Sequence, residues 1–131
     1  GSIRAAQWTG GGIIFAPTPR DYEVKINKKE RRAALKSALT SKVQDNKLIV
    51  VDELKLDQIK TKEMQKVLTN LKAEKALVVT AQDDKNVILS ARNITDVQTA
   101  TPGTINVYDV MKHGALVVTK DAVATIEEVY A

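Results

Sequence analysis

Short apolar runs that alternate with helical segments constrain the fold of this 131-residue chain more than any other feature. The three clearest runs occupy residues 48–51, 76–79 and 115–118 and consist only of Leu, Ile, Val and Ala. Strands covered on both faces have such unbroken apolar sequences, and helices between them connect parallel neighbours. The pattern therefore predicts an α/β fold, a three-layer α/β/α sandwich around a mostly parallel sheet.

The segments between the apolar runs carry helix signals. Asn27, followed three residues later by Glu30, matches a capping box and predicts a helix from residue 28 to about residue 44. Leu35, Leu39 and Val43 recur every four residues and are its expected buried stripe. Further elements are expected in this order: a helix over 61–71 capped by Thr61, a short helix opened by Asp83 or Asp84, a weak edge strand over 96–100, a helical turn capped by Asn106, and a last helix capped by Thr119.

The start of the chain has a different character. Three consecutive glycines at 10–12 and prolines at 17 and 19 disfavour a helix there. Residues 1–24 are therefore expected to form an extended arm, and residues 25–131 a globular domain. Within the arm, the triplet Ile13, Ile14 and Phe15 predicts either a short strand or an anchor that docks the arm onto the domain.

Positive charge is concentrated at this same end. Up to residue 45 the chain has nine cations and four anions, whereas the remainder has eleven cations and twelve anions. Charge needed only for solubility would be spread evenly, so its segregation indicates an anionic partner met by the first segment. A polyphosphate such as RNA is the commonest candidate.

The position of four of these cations sharpens that expectation. Lys28, Lys29, Arg31 and Arg32 occupy the start of the first predicted helix, where the helix dipole disfavours each by roughly a few tenths of a kcal/mol. Free backbone N–H groups, dipole and cations can instead converge on an external phosphate. The alternative is a charged face that only meets solvent.

Trp8, the one tryptophan, lies in the arm. It either anchors the arm to the domain or stacks on an unpaired base while Arg4 contacts phosphate. In the second case the glycines at 10–12 would let the backbone approach nucleic acid closely.

An enzymatic function has less support. The chain has no cysteine and one histidine, so thiol catalysis and Cys or paired-His metal sites are excluded, and no cofactor or metal is expected. The glycine run does not lead from a strand into a helix, and so it matches neither a P-loop nor a dinucleotide fingerprint. His113 before Gly114 is typical of a helix C-terminus. Asp52, directly after a strand, is the candidate for a rival function, a small-molecule-binding or phosphotransfer site, although Asp at this position commonly serves the turn.

The apolar runs of about four residues are far below the roughly 20 that span a bilayer. The first 15 residues also lack the continuous apolar region of a signal peptide. We therefore expect a cytoplasmic location and no membrane partner.

Several segments resemble one known family. GSIRAAQWTGGG at 1–12, FAPTPR at 15–20, KKERRAALKSAL at 28–39, KTKEM at 60–64, LSARNI at 89–94 and NVYDV at 106–110 are similar, in the same order, to the L-four family of bacterial large-subunit ribosomal proteins. The similarity spans essentially the whole chain. Thr9 and Ala16 depart from the family pattern, which usually has Arg and Gly there, and Thr9 removes one expected phosphate contact.

The resemblance implies a structural constituent of the large ribosomal subunit, not an enzyme, with a long loop that penetrates RNA near the peptide exit tunnel. Residues 1–24 would be the returning half of that loop, and the family carries a further N-terminal portion. Expected partners are large-subunit ribosomal RNA and neighbouring ribosomal proteins; relatives in some bacteria also bind their own operon messenger RNA. The expected RNA-binding residues are Arg4, Gln7, Trp8, Gly10, Gly11, Gly12, Arg20, Lys28, Lys29, Arg31, Arg32, Lys36 and, from the motif match alone, Arg92 and Asn93.

Overall fold

The computed structural model describes residues 1–130. An arm without helix or strand, residues 1–27, precedes five helices and four strands that alternate along the chain. The elements are α1 (Lys28–Gln44), β1 (Leu48–Val51), α2 (Thr61–Asn70), β2 (Ala76–Val79), α3 (Lys85–Ala91), β3 (Gln98–Ala100), α4 (Val107–Lys112), β4 (Ala115–Thr119) and α5 (Lys120–Tyr130). The alternation predicted from the apolar runs is confirmed.

The four strands are all parallel and lie in the order β1-β4-β2-β3. The last strand of the chain, β4, is therefore central and pairs with β1 on one side and β2 on the other. Leu116 is the register partner of both Leu48 and Leu77. The short strand β3 lies at an edge, as its sequence predicted.

One face of the sheet is covered by α2 and α3. Val78 and Val117 point to this side and pack with Met64 and Leu68 of α2 and with Val87 of α3. Met64 and Val87 are completely buried. Burial of side chains of this size contributes roughly 1.5–3 kcal/mol each, so this cluster is a major source of stability.

The opposite face is covered by α1, α4 and α5. Leu77 and Leu116, which precede Val78 and Val117 in their strands, pack here with Leu35, Val110 and Ala122. Successive strand residues thus point to opposite cores, which explains why the runs are apolar throughout. The predicted three-layer α/β/α sandwich is confirmed.

Two predicted burial patterns are wrong. The segment 48–51 was expected to be a buried strand, but β1 is an edge strand and the side chain of Val50 is 53% exposed. On α1, Val43 is 55% exposed, whereas Ala38 and Lys42 are buried beside Leu35. A period of four drifts away from the 3.6-residue turn, so the third member of the expected stripe rotates out of the core.

The triplet Ile13, Ile14 and Phe15 forms neither a strand nor an anchor. All three side chains are exposed, Phe15 by 93%, and none belongs to either core cluster. The arm is therefore not held to the domain by this triplet.

Helix caps follow the sequence closely. The side-chain oxygen of Asp84 accepts from the backbone N–H two residues on (2.9 Å), that of Asn106 from the N–H three residues on (2.8 Å), and that of Thr119 from the N–H three residues on (3.4 Å). The start of α2 differs by one position, because Lys60 is the cap and Thr61 is the first helical residue.

Lys42 joins α1 to the end of α4. Its side chain is 6% exposed, and Nζ donates to the backbone oxygens of His113 (2.7 Å) and Gly114 (3.5 Å). His113 occupies the C-cap of α4, so the ammonium group satisfies a helix-end carbonyl. Desolvation on burial lowers the pKa of Lys42 below its ordinary value of 10.5.

Replacing this buried cation tests its contribution to the fold. We expect Lys42→Met to lower the free energy of unfolding by about 1–3 kcal/mol, because the carbonyl of His113 would lose its donor. The measurement is urea denaturation of the 131-residue chain, with the exposed Lys62→Met as control. If Lys42→Met and the control Lys62→Met had equal free energies of unfolding, this role of Lys42 would be contradicted.

The stability difference should also depend on pH. Because the pKa of Lys42 is lower in the folded chain than in the unfolded chain, the free energy of unfolding of wild type relative to Lys42→Met should increase as the pH rises toward 10.5.

Candidate nucleic-acid interface

The first two turns of α1 project beyond the domain. Every residue from 28 to 34 is exposed, and burial begins at Leu35. At 1.5 Å per residue this projection is about 10 Å long. Its N-terminal backbone N–H groups, which have no partner within the helix, therefore face the outside.

Five cations lie on this projection. Lys29, Arg32 and Lys36 are three and four residues apart, and Lys28 is three residues before Arg31 and four before Arg32. The five cations therefore share one broad side of the helix. All five side chains are exposed. The ion pairs within residues 1–130 involve other lysines, so these five charges are free to meet an external anion.

The one acid of the first turn does not neutralise them. The Oε2 atom of Glu30 accepts a hydrogen bond from the backbone N–H of Asn27 at 3.1 Å, which is half of the predicted capping box. The helix therefore begins where the sequence predicted. The Glu30 carboxylate is held by its hydrogen bond at the cap, and the five cations outnumber it, so the electrostatic potential around the start of α1 is positive.

Residues 2–12 of the arm form a compact loop closed by backbone hydrogen bonds. The N–H of Ala5 donates to Ser2 (3.2 Å), that of Trp8 to Ala5 (3.0 Å), that of Gly11 to Trp8 (2.9 Å) and that of Gly12 to Arg4 (2.9 Å). The tip of the arm thus has a defined shape of its own and does not depend on the domain for it.

Two glycines are required by this loop itself. Gly10 has φ +78°, a left-handed conformation that residues with a Cβ rarely adopt. A Cβ on Gly11 would lie 1.9 Å from the backbone oxygen of Ala5, a distance far shorter than any non-bonded contact. The sequence predicts that the glycines let the backbone approach nucleic acid, but at these two positions the close backbone contact that glycine permits lies within the arm. Gly12 has ordinary space around it.

The loop presents its polar and aromatic side chains outward. Arg4 and Gln7 are exposed, and Trp8 is 59% exposed and outside both cores. This position argues against the anchor alternative for Trp8. A half-exposed indole on a shaped loop leaves a ring face free for stacking on a base.

Further along the arm, Arg20 lies over an aromatic ring that sequence reasoning missed. Its guanidinium carbon is 4.4 Å from the ring centroid of Tyr22, whose side chain is 77% exposed. The sequence did contain a signal for this contact. In an extended segment, residues two positions apart point to the same side, so an arginine two residues before a tyrosine can lie over its ring.

The structure does not bring Arg92 and Asn93 together with these groups. They follow α3, on the face of the sheet opposite α1. Asn93 lines a groove of about 770 Å³ between α2 and the segment before β3. Any RNA contact made there is a separate one.

Asp52 lies in a bend after β1, at an open crevice of about 630 Å³ at the carboxyl edge of the sheet. In the sequence no carboxylate pair at a recognisable spacing marks neighbouring strand ends, yet the structure brings several carboxylates together here. The crevice is also lined by Glu53, Asp83, Asp84 and Asp121. Asp83 and Asp84 follow β2 and Asp121 follows β4, so the strand order, which no local pattern encodes, makes them neighbours.

The crevice does not assemble a metal centre. Among residues 1–130, no group of three or more His, Asp or Glu side chains is arranged to hold a metal ion. No helix in the same part of the chain is long and apolar enough to cross a bilayer.

The loop geometry can be tested without any ligand. In Gly11→Ala the added methyl would collide with the Ala5 oxygen, so the loop must open and the amide chemical shifts of residues 4–12 should change. The thermal midpoint should stay within about 2 °C, because the loop packs on neither core. Gly103→Ala is the matched control, since a Cβ there meets open space. Unchanged shifts in Gly11→Ala would contradict the closed loop.

Comparison with known proteins places the chain among ribosomal proteins. The family model described as "Ribosomal protein L4/L1 family" matches residues 1–129. Proteins named "Large ribosomal subunit protein uL4" are similar to it: that of Agathobacter rectalis is 65% identical, that of Lachnoclostridium phytofermentans 62%, and that of Thermoanaerobacter sp. 55%, each over 131 residues. These matches cover 100% of this chain and 64% of each relative, so the chain spans about 64% of the length of the curated relatives it matches. The chain belongs to the ribosomal protein L4/L1 family.

Proposed function

We propose that this chain is a structural constituent of the large ribosomal subunit that binds ribosomal RNA and catalyses no reaction. The observation that carries the proposal is the projecting start of α1, where five exposed cations and free backbone N–H groups adjoin an arm with an exposed Trp8. Membership of a ribosomal protein family supports the same conclusion. A cytoplasmic ribosome, with neighbouring ribosomal proteins, is the assembly in which it would act.

Binding would be largely electrostatic at α1. Lysine and arginine side chains that neutralise phosphates release condensed counterions, and this release favours association. Arg31 and Arg32 can each offer two donors to one phosphate, which fixes orientation as well as charge. Phosphates at the helix N-terminus would also meet the positive end of the helix dipole.

The arm would supply shape-dependent contacts. Arg4, Gln7 and Trp8 on the closed loop can meet phosphate, base edge and base face, the groups exposed where RNA is unpaired. Residues 13–27 connect this loop to α1 and can span at most about 50 Å when extended. The arm is thus long enough to enter a crevice in folded RNA, and we place it near the peptide exit tunnel.

Repression through the chain's own operon messenger RNA would use the same surface. Structured messenger RNA presents the same phosphates and unpaired bases as ribosomal RNA. The five cations of α1 are suited to either, so we treat the messenger as a second RNA partner of one interface.

The rival function, a small-molecule-binding or phosphotransfer site at Asp52, is less well supported. The crevice is concave, as that function requires, but its five carboxylates outnumber its two lysines, Lys55 and Lys85, and this excess of negative charge disfavours a phosphate group. Chemistry needs a nucleophile, a positioned base or a charge stabiliser around one reacting atom. In the crevice, Lys55 is paired with Glu53, the Thr80 hydroxyl donates to the Gln82 backbone oxygen, and the Thr119 hydroxyl accepts from the Ala122 N–H. These contacts serve the local structure and do not form such a constellation.

The electrostatic account predicts a steep response to salt. With about six phosphate contacts, the slope of log affinity for purified bacterial large-subunit ribosomal RNA against log salt should be about −4 to −6. Arg31→Ala combined with Arg32→Ala should reduce the slope by about 1.5–2 and leave the thermal midpoint nearly unchanged, because both side chains are exposed. The matched control is Lys62→Ala with Lys66→Ala, which removes the same charge from exposed positions of α2. A flat salt response, or equal effects of the two pairs, would reject the proposed interface.

The non-enzymatic account predicts that Asp52 is dispensable. Asp52→Asn should leave RNA affinity within about twofold and cost at most about 1 kcal/mol of stability, since it removes one exposed charge in a bend. Filter binding and thermal melting measure both. Tight binding of a divalent ion or of a small phosphate that disappears in Asp52→Asn would favour the rival function instead.

A further inference from the structure

The two edge strands of the sheet differ in how well they are protected from pairing with another chain. The edge strand β3 is only three residues long and has the sequence QTA, with two polar side chains. The other edge strand, β1, is four residues long and has the apolar sequence LIVV. Exposed edge strands are usually kept from further pairing by short length, charged side chains or proline. Because β1 contains neither a charge nor a proline, it is the edge that can accept another strand.

The backbone of β1 has donors and acceptors that point away from the sheet. The N–H and C=O groups of one strand residue point to the same side, and this side alternates along the strand. The backbone oxygen of Lys47 accepts from Leu116 N–H of β4 at 2.9 Å, so it points into the sheet. The alternation then directs the backbone groups of Leu48 and Val50 to the open side. Within residues 1–130, no backbone hydrogen bond from outside the sheet reaches these two residues.

The connection that follows β1 leaves the open side uncovered. The backbone oxygen of Leu56 accepts from the side-chain amide of Asn86 at 2.9 Å. The backbone N–H of Lys60 donates to Ser90 Oγ at 3.1 Å. Asn86 and Ser90 belong to α3, which packs against β3 at the opposite edge, so the connection crosses the face of the sheet and does not run along β1. The side chain of Val50 accordingly remains half-exposed.

A second copy of β1 can pair here in the antiparallel sense, about a two-fold axis. Only registers that place outward-pointing residues opposite each other form main-chain hydrogen bonds. With Val50 opposite Val50 of the other copy, this central pair exchanges two hydrogen bonds, and the pairs of Leu48 with Asp52 on either side add up to about four more. The two exposed Val50 side chains then lie on the same face and contact each other.

The charged residues that flank β1 favour this register. Asp45 and Lys47 precede the strand, with 3.7 Å between Oδ2 and Nζ. Glu53 and Lys55, which also form an ion pair, follow it. With Val50 on the axis, Lys47 faces Glu53 of the other copy and Asp45 lies toward its Lys55. A shift of one copy by two residues opposes Asp45 to Glu53, and the reverse shift opposes Lys47 to Lys55. Like charges directly opposite destabilise a strand pair, so both shifted registers are disfavoured.

The charges around this edge balance within each copy. Within four residues of either end of β1 or β4 there are four cations and four anions. The cations are Lys47, Lys55, Lys112 and Lys120, and the anions are Asp45, Asp52, Glu53 and Asp121. Two copies therefore have no net repulsion at this edge, although the whole chain has a net charge of +4.

We propose that β1 is a docking edge for a second copy of this chain, which pairs with it antiparallel across a two-fold axis at Val50. The two sheets join into one continuous sheet, the open backbone groups of β1 are satisfied, and Val50 is covered. This self-association is independent of RNA binding, because it uses neither the arm nor the start of α1. Strand pairing of this length buries less than the roughly 1,200–2,000 Å² of standard stable complexes, so the dimer is weak and forms at high protein concentration.

Sedimentation equilibrium of the 131-residue chain tests the dimer. Between about 0.02 and 1 mM protein, the average mass should rise from 14.3 kDa toward twice that value. Val50→Lys opposes two ammonium groups on the axis and should keep the mass at that of the monomer. Val43→Lys is the matched control, because Val43 on α1 is equally exposed (55% against 53%), and it should behave like wild type. A monomeric wild type throughout this range, or the same mass for Val50→Lys as for wild type, would overturn the proposal and leave the edge to some other strand.

Proline substitutions test which backbone groups are open. Val50→Pro removes an N–H that points away from the sheet, which an edge strand tolerates, and should abolish self-association while the domain still folds. Val51→Pro removes an N–H that points to β4 and should lower the thermal midpoint much further. Equal losses of thermal midpoint in the two variants would contradict the open side of β1 and with it the docking edge.

The register can be trapped covalently, because the chain has no cysteine of its own. In an antiparallel hydrogen-bonded pair the Cα atoms are about 5.5 Å apart, a distance that a disulfide can bridge. Under mild oxidation at high protein concentration, Val50→Cys should form a disulfide-linked dimer at least about tenfold faster than Val43→Cys, since pairing raises the effective concentration of the two thiols. Equal rates for the two variants would overturn the pairing at Val50.

Discussion

The insertion of β4 between β1 and β2 is the constraint on which the rest of this structure depends. Ladder hydrogen bonds on the two sides of one central strand hold segments that are 68 and 39 residues apart, as Leu116 pairs with Leu48 and with Leu77. Leu116 and Val117 place one side chain in each core. The same pairing aligns the strand ends, so residues scattered along the chain meet at two edges. Carboxylates that follow three different strands meet at the carboxyl edge because of this order.

The fold could be predicted from sequence to the extent that it depends on local pattern. The apolar runs located β2 and β4, and the pairing of Asn27 with Glu30 located the start of α1, since both signals lie within a few residues. The edge position of β1 could not be predicted in this way. It follows from which strands pair, and a run such as LIVV has the same sequence whether one or two neighbours flank it.

The candidate site divides along the same line. Exposed cations at the start of α1 and an exposed Trp8 were predictable, because charge and an isolated aromatic outside the apolar pattern suffice to suggest them. The role of Gly11 could not be predicted, because it depends on the Ala5 oxygen six residues away, in a loop without a repeating sequence pattern. Lys42 was missed for a similar reason. Its partners, His113 and Gly114, are 71 and 72 residues away, and a lysine in a core-facing position contradicts the usual rule for burial.

The unsupported first turns of α1 have a further consequence. Short helical segments without tertiary contacts are marginally stable in water, so residues 28–34 fray more readily than the packed turns from Leu35 onward. At the proposed interface a phosphate bound at this end would favour the helical state, and by linkage the helical state would favour the phosphate, so folding of these turns and RNA binding would be coupled. A substitution that raises helix propensity here, without touching any ligand, would therefore strengthen binding, and a glycine would weaken it. The affinity of the proposed surface would then depend on the backbone as well as on the charges.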